Sequence, residues 1–312
     1  MTAAAPTVAY IAGYGRSGST WLARLLGQSP GACAAGELAR IADWIESTRP
    51  CTCGAPIAEC PFWMKVRSEL PSSASGPRSW RAALESPWVL YLGFWWIPAL
   101  ERRRYRDEMR SLFQSVAAAG GARVVIDSSK TARRSAGRAA ALQKIAGLDV
   151  RVVHLVRNPQ GVRASIERGT NKELEGRAPP RRGFRRTRAL LGWTMANAFA
   201  LRISGRMPPG EAFRLDFEIL TADPIRALAG LAGALGLSLS PVEAVLRRRS
   251  APGPEHLAEG NRMRLEPLAP AEDRPAVATS GDRLLGLLLC GWTCWRLGIS
   301  PFGADRRPRG ER

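Results

Sequence analysis

The chain lacks any apolar stretch long enough to cross a bilayer. Its two longest apolar stretches run from Trp88 to Leu100 and from Leu284 to Trp295, and both fall short of the roughly 20 residues that a spanning helix needs. The N-terminus also lacks the regions of a signal peptide, because residues 7–12 already form an apolar strand pattern. These absences predict a cytoplasmic protein. The Trp88 to Leu100 stretch is expected to be a core helix, with a pocket lining or a membrane-surface contact as alternatives.

Lysine is scarce, and acidic residues are too few to balance the arginines. The 312 residues include only four lysines, yet Lys plus Arg total 46 against 27 Asp plus Glu, a formal net charge of +19. This charge favours phosphate, nucleic acid or an anionic surface as a partner. Coding bias in a GC-rich gene is the alternative, and we expect it to explain most of the surface charge. An RNA-binding module would also need aromatic residues interleaved with the basic ones, and the sequence lacks that pattern, so we expect no nucleic-acid partner.

Short β-branched segments alternate with helical patterns along the chain, which predicts an α/β fold with a mostly parallel sheet covered by helices. The predicted strands are Val8–Ala12, Arg123–Ile126, Val150–Val156 and Phe213–Leu215. The predicted helices are Ser19–Leu26, Glu101–Ala118, Ala136–Ala146, Pro159–Arg168, Leu190–Arg202, Pro224–Leu235 and Pro241–Arg248.

Two irregular stretches interrupt this alternation, at Thr48–Pro77 and Asn171–Arg188. We predict one domain over residues 1–303, with insertions near 48–110 and 171–188 and a flexible basic tail at 304–312. The basic run within 181–188 is expected to be a solvated surface, with guidance of an anionic substrate as the alternative. The sequence offers no prediction of oligomeric state.

A glycine-rich loop follows the first strand. Gly13-x4-Gly18-Ser19-Thr20 leads straight into an apolar helix, the order in which backbone N–H groups and a helix N-terminus cradle a phosphate. The spacing matches the Walker pattern, but Ser19 stands where that pattern requires lysine. The sequence therefore disfavours a nucleoside triphosphatase. Arg16 supplies a cation within the loop instead.

A second motif runs from Val152 through Arg157 and Pro159 to Ser165, as a strand, a turn and a helix. Together the two motifs resemble the sulfotransferases that use 3′-phosphoadenosine 5′-phosphosulfate (PAPS), in the bacterial and carbohydrate branches of that family. The family more often has Asp where this chain has Asn158. By the resemblance, the 5′-phosphosulfate is bound by Gly15, Arg16, Ser17, Gly18, Ser19 and Thr20, and the 3′-phosphate by Arg157 and Ser165.

Three further segments resemble the same family: Val124–Lys130, Phe213–Pro224 and His256–Arg264. The last is similar to a loop that folds over the nucleotide, and the resemblance implies that Gly260, Asn261, Arg262 and Arg264 contact it. Lys130 would reach the transferring sulfuryl group. The implied fold is a three-layer P-loop architecture.

The implied reaction moves a sulfuryl group from PAPS to a hydroxyl, less readily to an amine, of a small molecule, a carbohydrate or a lipid. It needs no metal, because positioning and charge stabilisation carry such transfers. The partners implied are PAPS and the hydroxyl-bearing acceptor, and membrane contact is not predicted. A kinase-like or regulatory nucleotide-binding protein is the alternative.

A hydroxyl acceptor needs a general base, because its own pKa is far above neutrality. Glu37 stands where many bacterial members carry a glutamate thought to deprotonate the acceptor, so it ranks first. His154 lies inside an apolar strand and is expected to be a core histidine. His256 belongs to the segment His256–Arg264, called the late loop below, and is expected to shape that loop.

Cys51, Cys53 and Cys60 form a tight cluster in the first irregular stretch. A zinc site would require a fourth ligand, such as Cys33. Because cytoplasmic thiols usually stay reduced, we predict reduced or loop-stabilising cysteines and assign no metal ligand.

Overall fold

A five-stranded parallel sheet forms the centre of the protein in a computed structural model that describes residues 5–70, 78–131, 135–167, 182–260, 262–271 and 279–302. The strands are β1 (Thr7–Ala12), β2 (Ala32–Gly36), β3 (Val124–Asp127), β4 (Val150–Val156) and β5 (Ala212–Asp216). Their order in the sheet is β2-β3-β1-β4-β5, and every pairing is parallel. The predicted α/β class and parallel sheet are confirmed.

Helices connect the strands, and every predicted helix overlaps an observed one. They are α1 (Ser19–Gly27), α2 (Ile41–Trp44), α3 (Pro61–Glu69), α4 (Arg78–Leu84), α5 (Val89–Leu92), α6 (Ala99–Gly120), α7 (Arg138–Lys144), α8 (Pro159–Glu167), α9 (Arg182–Ser204), α10 (Phe217–Ala222), α11 (Pro224–Leu235), α12 (Ser240–Leu246) and α13 (Ser280–Leu297).

The bounds of α11 show how local chemistry sets a helix. Pro224 occupies the first turn, and the side chain of Asp223 accepts a hydrogen bond of 3.0 Å from the N–H of Arg226. Gly236 ends the helix in the left-handed conformation. A cap, a first-turn proline and a terminal glycine are each readable in sequence, so both bounds agree with the prediction.

Side chains of β1 alternate between the two faces of the sheet. Val8, Tyr10 and Ala12 pack into one core, which includes α6 and α7. Ala9 and Ile11 pack into the other, with α1, α11 and α12. Both faces are therefore covered by helices, which makes three layers and explains why the strand reads as a continuous apolar run.

The prediction of a core helix over Trp88–Leu100 is wrong. Only Val89–Leu92 is helical, because Gly93 turns the chain at φ +74° and Pro98 precedes the start of α6. Trp88 and Trp95 are 64% and 78% exposed. In the described part of the chain, no helix combines the length and the apolar character needed to span a membrane.

The two irregular stretches also contain more helix than predicted. The first includes α3, which starts at Pro61, and residues 182–188 of the second form the beginning of α9. Residues 71–77 and 168–181 lie outside the described residues, as does the predicted tail at 304–312. That residues 1–303 form one domain stays a prediction.

The strand order places a crevice at the carboxyl edge of the sheet. β1 lies between β3 and β4, so the chain connections run to opposite sides of the sheet from this point. Loops that follow neighbouring strands then diverge, and ligands of open parallel sheets bind in the gap between them. The loop after β1 and Arg157 after β4 both lie at this edge.

Candidate functional site

The loop between β1 and α1, residues 13–18, needs glycine at two positions. Gly13 has φ +120° and Gly18 has φ +90°. A Cβ on Gly13 would lie 2.4 Å from the backbone oxygen of Leu155, and one on Gly18 would lie 2.4 Å from the ring of Phe217. At Gly15, by contrast, a Cβ would meet open space. Glycine is therefore required by conformation and by close packing at both ends of the loop.

Polar groups gather where this loop enters α1. Ser17, Ser19 and Thr20 are buried, and the Ser17 hydroxyl oxygen has no hydrogen-bond partner among the described residues. Within the same residues, no side chain caps the first turn of α1. The turn therefore offers backbone N–H groups and the positive end of the helix dipole to an anion. Arg16, with φ +69°, adds a cation.

Arg157, directly after β4, is in contact with this loop. Its Nη1 donates a hydrogen bond of 3.1 Å to the backbone oxygen of Arg16. Its guanidinium lies over the ring of Phe217, 4.3 Å from the ring centroid, and its own backbone oxygen accepts a bond of 2.9 Å from the indole N–H of Trp193. The end of β4 and the glycine-rich loop are therefore in contact at the carboxyl edge of the sheet, where a ligand cleft is expected.

Ser165 lies on the face of α8 that faces Arg157. A Cβ on Gly161, in the first turn of α8, would lie 3.1 Å from Nε of Arg157. Ser165 follows Gly161 by four residues, and positions four apart share one face of a helix. Ser165 therefore lies about one helical turn beyond the contact between Arg157 and α8. Its side chain is partly exposed.

Glu37 and Lys130 form an ion pair. Glu37 follows β2 and Lys130 follows β3, and the Nζ atom of Lys130 donates a hydrogen bond to the Glu37 carboxylate. Both side chains remain partly accessible, at 20% and 13% exposure. The backbone of Lys130 has φ +68° and bonds back to Ile11 of β1 at 3.2 Å. A carboxylate and an ammonium therefore stand together at the edge of the glycine-rich loop.

A buried charge network holds the end of β3 in place. Arg138 is fully buried, and it bonds Asp127 at 3.0 Å and also contacts Glu85. Burial acts to lower the pKa of Arg138, but the Glu85 and Asp127 carboxylates outweigh this effect and raise the pKa above its usual value. Asp127 accepts from the N–H of Ser129 at 2.9 Å. The turn that carries Lys130 is thus fixed by buried charges.

The late loop packs on the glycine-rich loop at Gly260, which has φ +145° and whose Cβ would lie 3.1 Å from the hydroxyl of Thr20. Arg264 donates to the backbone oxygen of Pro50 at 3.4 Å. Asn261 and the side chain of Arg262 lie outside the described residues. Of the two predicted residues that the structure places, Gly260 therefore lies at the start of α1 and Arg264 at the segment that carries the cysteines.

Arg24 is a site residue that the sequence analysis missed. It is buried in α1, and its Nε bonds Glu255 at 2.7 Å. Its Nη1 bonds the backbone oxygens of Met263 and Glu266, each at 2.7 Å. Arg24 therefore holds the late loop against α1, the helix that follows the glycine-rich loop. The available signal was a single charged residue within the otherwise apolar run Trp21–Leu26.

Neither histidine is placed as an accessible base. His154 is buried in β4, where its Nε2 lies 2.9 Å from Oδ1 of Asn197. Burial lowers its pKa to about 4, against an opposing effect of the Asn197 hydrogen bond. His256 lies against the cysteines, with Nδ1 3.4 Å from Sγ of Cys60. Glu37 is the base candidate that borders the cleft.

A cavity of about 510 Å³ lies away from this cleft. It is lined by residues 89–94, with Lys144 and Met207 among the residues opposite. Lys144 precedes β4 and Met207 precedes β5, so the cavity lies toward the amino ends of the strands. The exposed apolar stretch therefore lines a pocket at the edge of the sheet opposite the glycine-rich loop.

Comparison with known proteins places this arrangement among solved folds. Neither a protein-family model nor a curated protein sequence matches the chain. A sulfotransferase domain of the Synechococcus PCC 7002 olefin synthase matches with TM-score 0.50 and 20% identity, over 94% of this chain and 97% of that one. This chain has the fold of a sulfotransferase domain.

Two further structures agree with this sulfotransferase fold. The sulfotransferase domain from the curacin biosynthetic pathway gives TM-score 0.54 at 16% identity, over 94% of this chain and 98% of that one. A sulfotransferase from Mycobacterium avium gives TM-score 0.51 at 15% identity, over 97% of this chain and 79% of that one. At these identities the likeness establishes the architecture, and activity has to be argued from the site.

Proposed function

We propose that this protein transfers a sulfuryl group from PAPS to a hydroxyl group of a small molecule, a carbohydrate or a lipid. The observation that carries the proposal is the hydrogen bond from Arg157 to the backbone of Arg16. It joins the end of β4 to the glycine-rich loop in one cleft. A nucleotide with phosphates at both its 5′ and 3′ positions has anionic groups at two ends, which suits this pair of neighbouring anion sites.

The residues present fit such a donor. Gly13 and Gly18 let the loop pack closely against Leu155 and Phe217 in the conformation that exposes its backbone N–H groups, and the Ser17 hydroxyl offers a buried donor with no partner among the described residues. At the other end, Arg157 presents a planar guanidinium stacked on Phe217. A planar fork of N–H donors matches the oxygens of a phosphate group.

Transfer requires an acceptor oxygen in line with the sulfur and a stabilised leaving group. The acceptor oxygen forms a bond to sulfur while the bond from sulfur to the 5′-phosphate oxygen breaks. Lys130 and the amides at the start of α1 stabilise the negative charge that develops on the sulfuryl group and the phosphate. Glu37 takes the hydroxyl proton, and the products are a sulfate ester and 3′-phosphoadenosine 5′-phosphate (PAP).

Calorimetry with PAP beside ATP tests the proposed nucleotide class. We expect PAP to bind at least about 100-fold more tightly than ATP, because one well-placed charge-assisted contact is worth a few kcal/mol. An acceptor screen with sulfur-labelled PAPS then identifies the second substrate. Equal or tighter binding of ATP would favour a kinase-like or regulatory protein instead.

Replacing Arg16 with alanine is expected to lower kcat by about 10²- to 10³-fold, the typical effect of removing one charge-stabilising group. Since Arg16 has φ +69°, an Arg16→Gly variant removes the guanidinium and relieves the backbone conformation at once. Both variants should lose activity to a similar degree. Arg247→Ala, which removes an exposed charge directly after α12, is the control. Near-normal turnover of Arg16→Ala would refute the role of its guanidinium.

The Glu37→Gln variant tests the general base. We expect kcat to fall by about 10²- to 10⁴-fold, because a neutral amide cannot accept the proton, while PAP affinity changes little. Glu69→Gln, at the exposed end of α3, is the matched control. If kcat of Glu37→Gln stays near the wild-type value, the base lies elsewhere.

A further inference from the structure

Four metal-binding side chains meet outside the proposed transfer site. The sulfur atoms of Cys51, Cys53 and Cys60 and a ring nitrogen of His256 all lie within 4.8 Å of one another. The cysteines come from the segment after α2, whereas His256 belongs to the late loop, about 200 residues farther along the chain. Folding alone therefore brings the fourth side chain to the cluster.

The distances within the cluster match the edges of a zinc tetrahedron. The Sγ atoms of Cys53 and Cys60 are 3.6 Å apart, and Nδ1 of His256 lies 3.4 Å from Sγ of Cys60 and 4.0 Å from Sγ of Cys51. With zinc–sulfur bonds of about 2.3 Å, a tetrahedron has sulfur–sulfur edges of about 3.8 Å and sulfur–nitrogen edges of about 3.6 Å. These three separations are close to those edges, and all four ligand atoms lie within 4.8 Å of one another.

The hairpin that carries Cys51 and Cys53 directs N–H groups at the sulfur atoms. Pro50 and Pro56 form an antiparallel bridge at its base, and Gly54 turns the chain at φ +92°. The backbone of Cys53 is hydrogen-bonded to the side chain of Cys51, and the backbone of Ala55 to the side chain of Cys53. Outer hydrogen bonds of this kind orient the ligands of a metal site.

His256 is held in a fixed orientation by its neighbours. Its ring stacks on Phe62, with centroids 4.9 Å apart and planes at 4°. Its backbone oxygen accepts a bond of 2.9 Å from the indole N–H of Trp63. Thr52, between two of the cysteines, bonds Glu255 and Leu257 on either side of the histidine. The ring is thus positioned before any metal arrives.

We infer that Cys51, Cys53, Cys60 and Nδ1 of His256 form a structural Zn²⁺ site. Three thiolates and one imidazole are a usual ligand set for structural zinc, and four protein ligands leave no open position for catalysis. Cys33, named from the sequence as a fourth ligand, lies in β2 beside Gly120 instead. The inference of a zinc site departs from the sequence prediction of reduced or loop-stabilising cysteines without a metal, because His256 completes a set of four ligands.

The metal would tie the late loop to the cysteine hairpin. Four residues after His256, Gly260 packs against Thr20 of the glycine-rich loop. Arg49, just before the hairpin, pairs with Glu259 between them. Zinc would therefore hold the loop that covers the nucleotide, a consequence that rests on the proposed function, whereas the metal site itself does not.

Metal analysis of the purified chain tests the site. We expect one zinc per chain in the wild type and in Cys33→Ala, and a loss of at least about 10-fold in bound zinc in Cys53→Ser and His256→Ala. Cobalt substitution should give the absorption bands of a tetrahedral thiolate site. Cys53 is the exposed member of the set, so its replacement by serine perturbs packing least.

The wild-type protein provides a readout that needs no folded variant. An organomercurial that titrates the thiols should release one zinc per chain to a chromophoric chelator. A wild-type protein that stays free of zinc after expression and refolding in zinc, or that contains a Cys53–Cys60 disulfide in native mass analysis, would overturn the inference. Zinc at full occupancy in a protein that binds no PAP would support the metal site and sink the proposed function.

Discussion

Replacing Arg157 with alanine is expected to weaken PAP binding by at least about 30-fold. The guanidinium lies over the ring of Phe217 and is bonded to the backbone of Arg16, so its orientation is fixed. Loss of a partly buried cation that pairs with a phosphate costs about 2–5 kcal/mol, or at least a factor of about 30 in affinity. Titration calorimetry measures the change directly.

Adenosine 5′-phosphate, which lacks the 3′-phosphate, separates the role of Arg157 from a general disturbance of the loop. We expect Arg157→Ala to lower the affinity for PAP far more than the affinity for this shorter nucleotide. Arg157→Lys should give an intermediate affinity, because it keeps the charge but loses the planar fork. The exposed Arg247→Ala substitution removes the same charge without effect. An unchanged preference for PAP in Arg157→Ala would contradict the assignment.

Replacing Arg138 with methionine is expected to destabilise the protein by about 3–5 kcal/mol, the usual result of removing one partner from a buried ion network. Arg138 and Asp127 are both fully buried, and Glu85 is nearly so. The substitution removes the cation that pairs with Asp127 in the core, and Glu85 keeps only its contact of 3.4 Å with Arg81. Urea unfolding, followed by tryptophan fluorescence, gives the change in the free energy of unfolding.

Two comparisons make the Arg138 result specific. Arg104→Met removes an exposed arginine that pairs with Glu101 on α6, and exposed pairs contribute at most about 1 kcal/mol. A triple variant that adds Glu85→Gln and Asp127→Asn should recover part of the stability, since the uncompensated charges are removed. A loss below about 1 kcal/mol for Arg138→Met would contradict the network's role in fixing the turn at Lys130.

Much of the fold followed from patterns within a few residues of each other. β4 was predicted with its observed bounds because Val150–Val156 is rich in β-branched residues. β2 was missed because Ala32–Gly36 contains only alanine, cysteine and glycine, residues without strand preference, and its pairing with β3 holds it in the sheet. The helix predicted over Trp88–Leu100 was wrong because Gly93 ends the short helix α5 and Pro98 precedes α6, despite the apolar composition of the stretch.

The candidate site likewise contains one part that the sequence predicted and one part that it did not. The glycine-rich loop could be read directly, because the positive φ angles at Gly13 and Gly18 and the helix that follows are local consequences of the sequence. The ion pair of Glu37 with Lys130 joins residues 93 positions apart. No local pattern shows that the two would meet.

The sequence by itself determined most of the elements: four of the five described strands, the places of the seven predicted helices, and the glycine-rich turn that follows β1. Periodicity, capping and glycine conformations act over a few residues, so they can be predicted from the sequence. The tertiary structure alone decided which of these ends meet. The strand order brings the ends of β1 and β4 together, and packing of the late loop carries His256 to the three cysteines. Contacts between distant residues depend on the topology of the whole chain, and local patterns do not determine that topology.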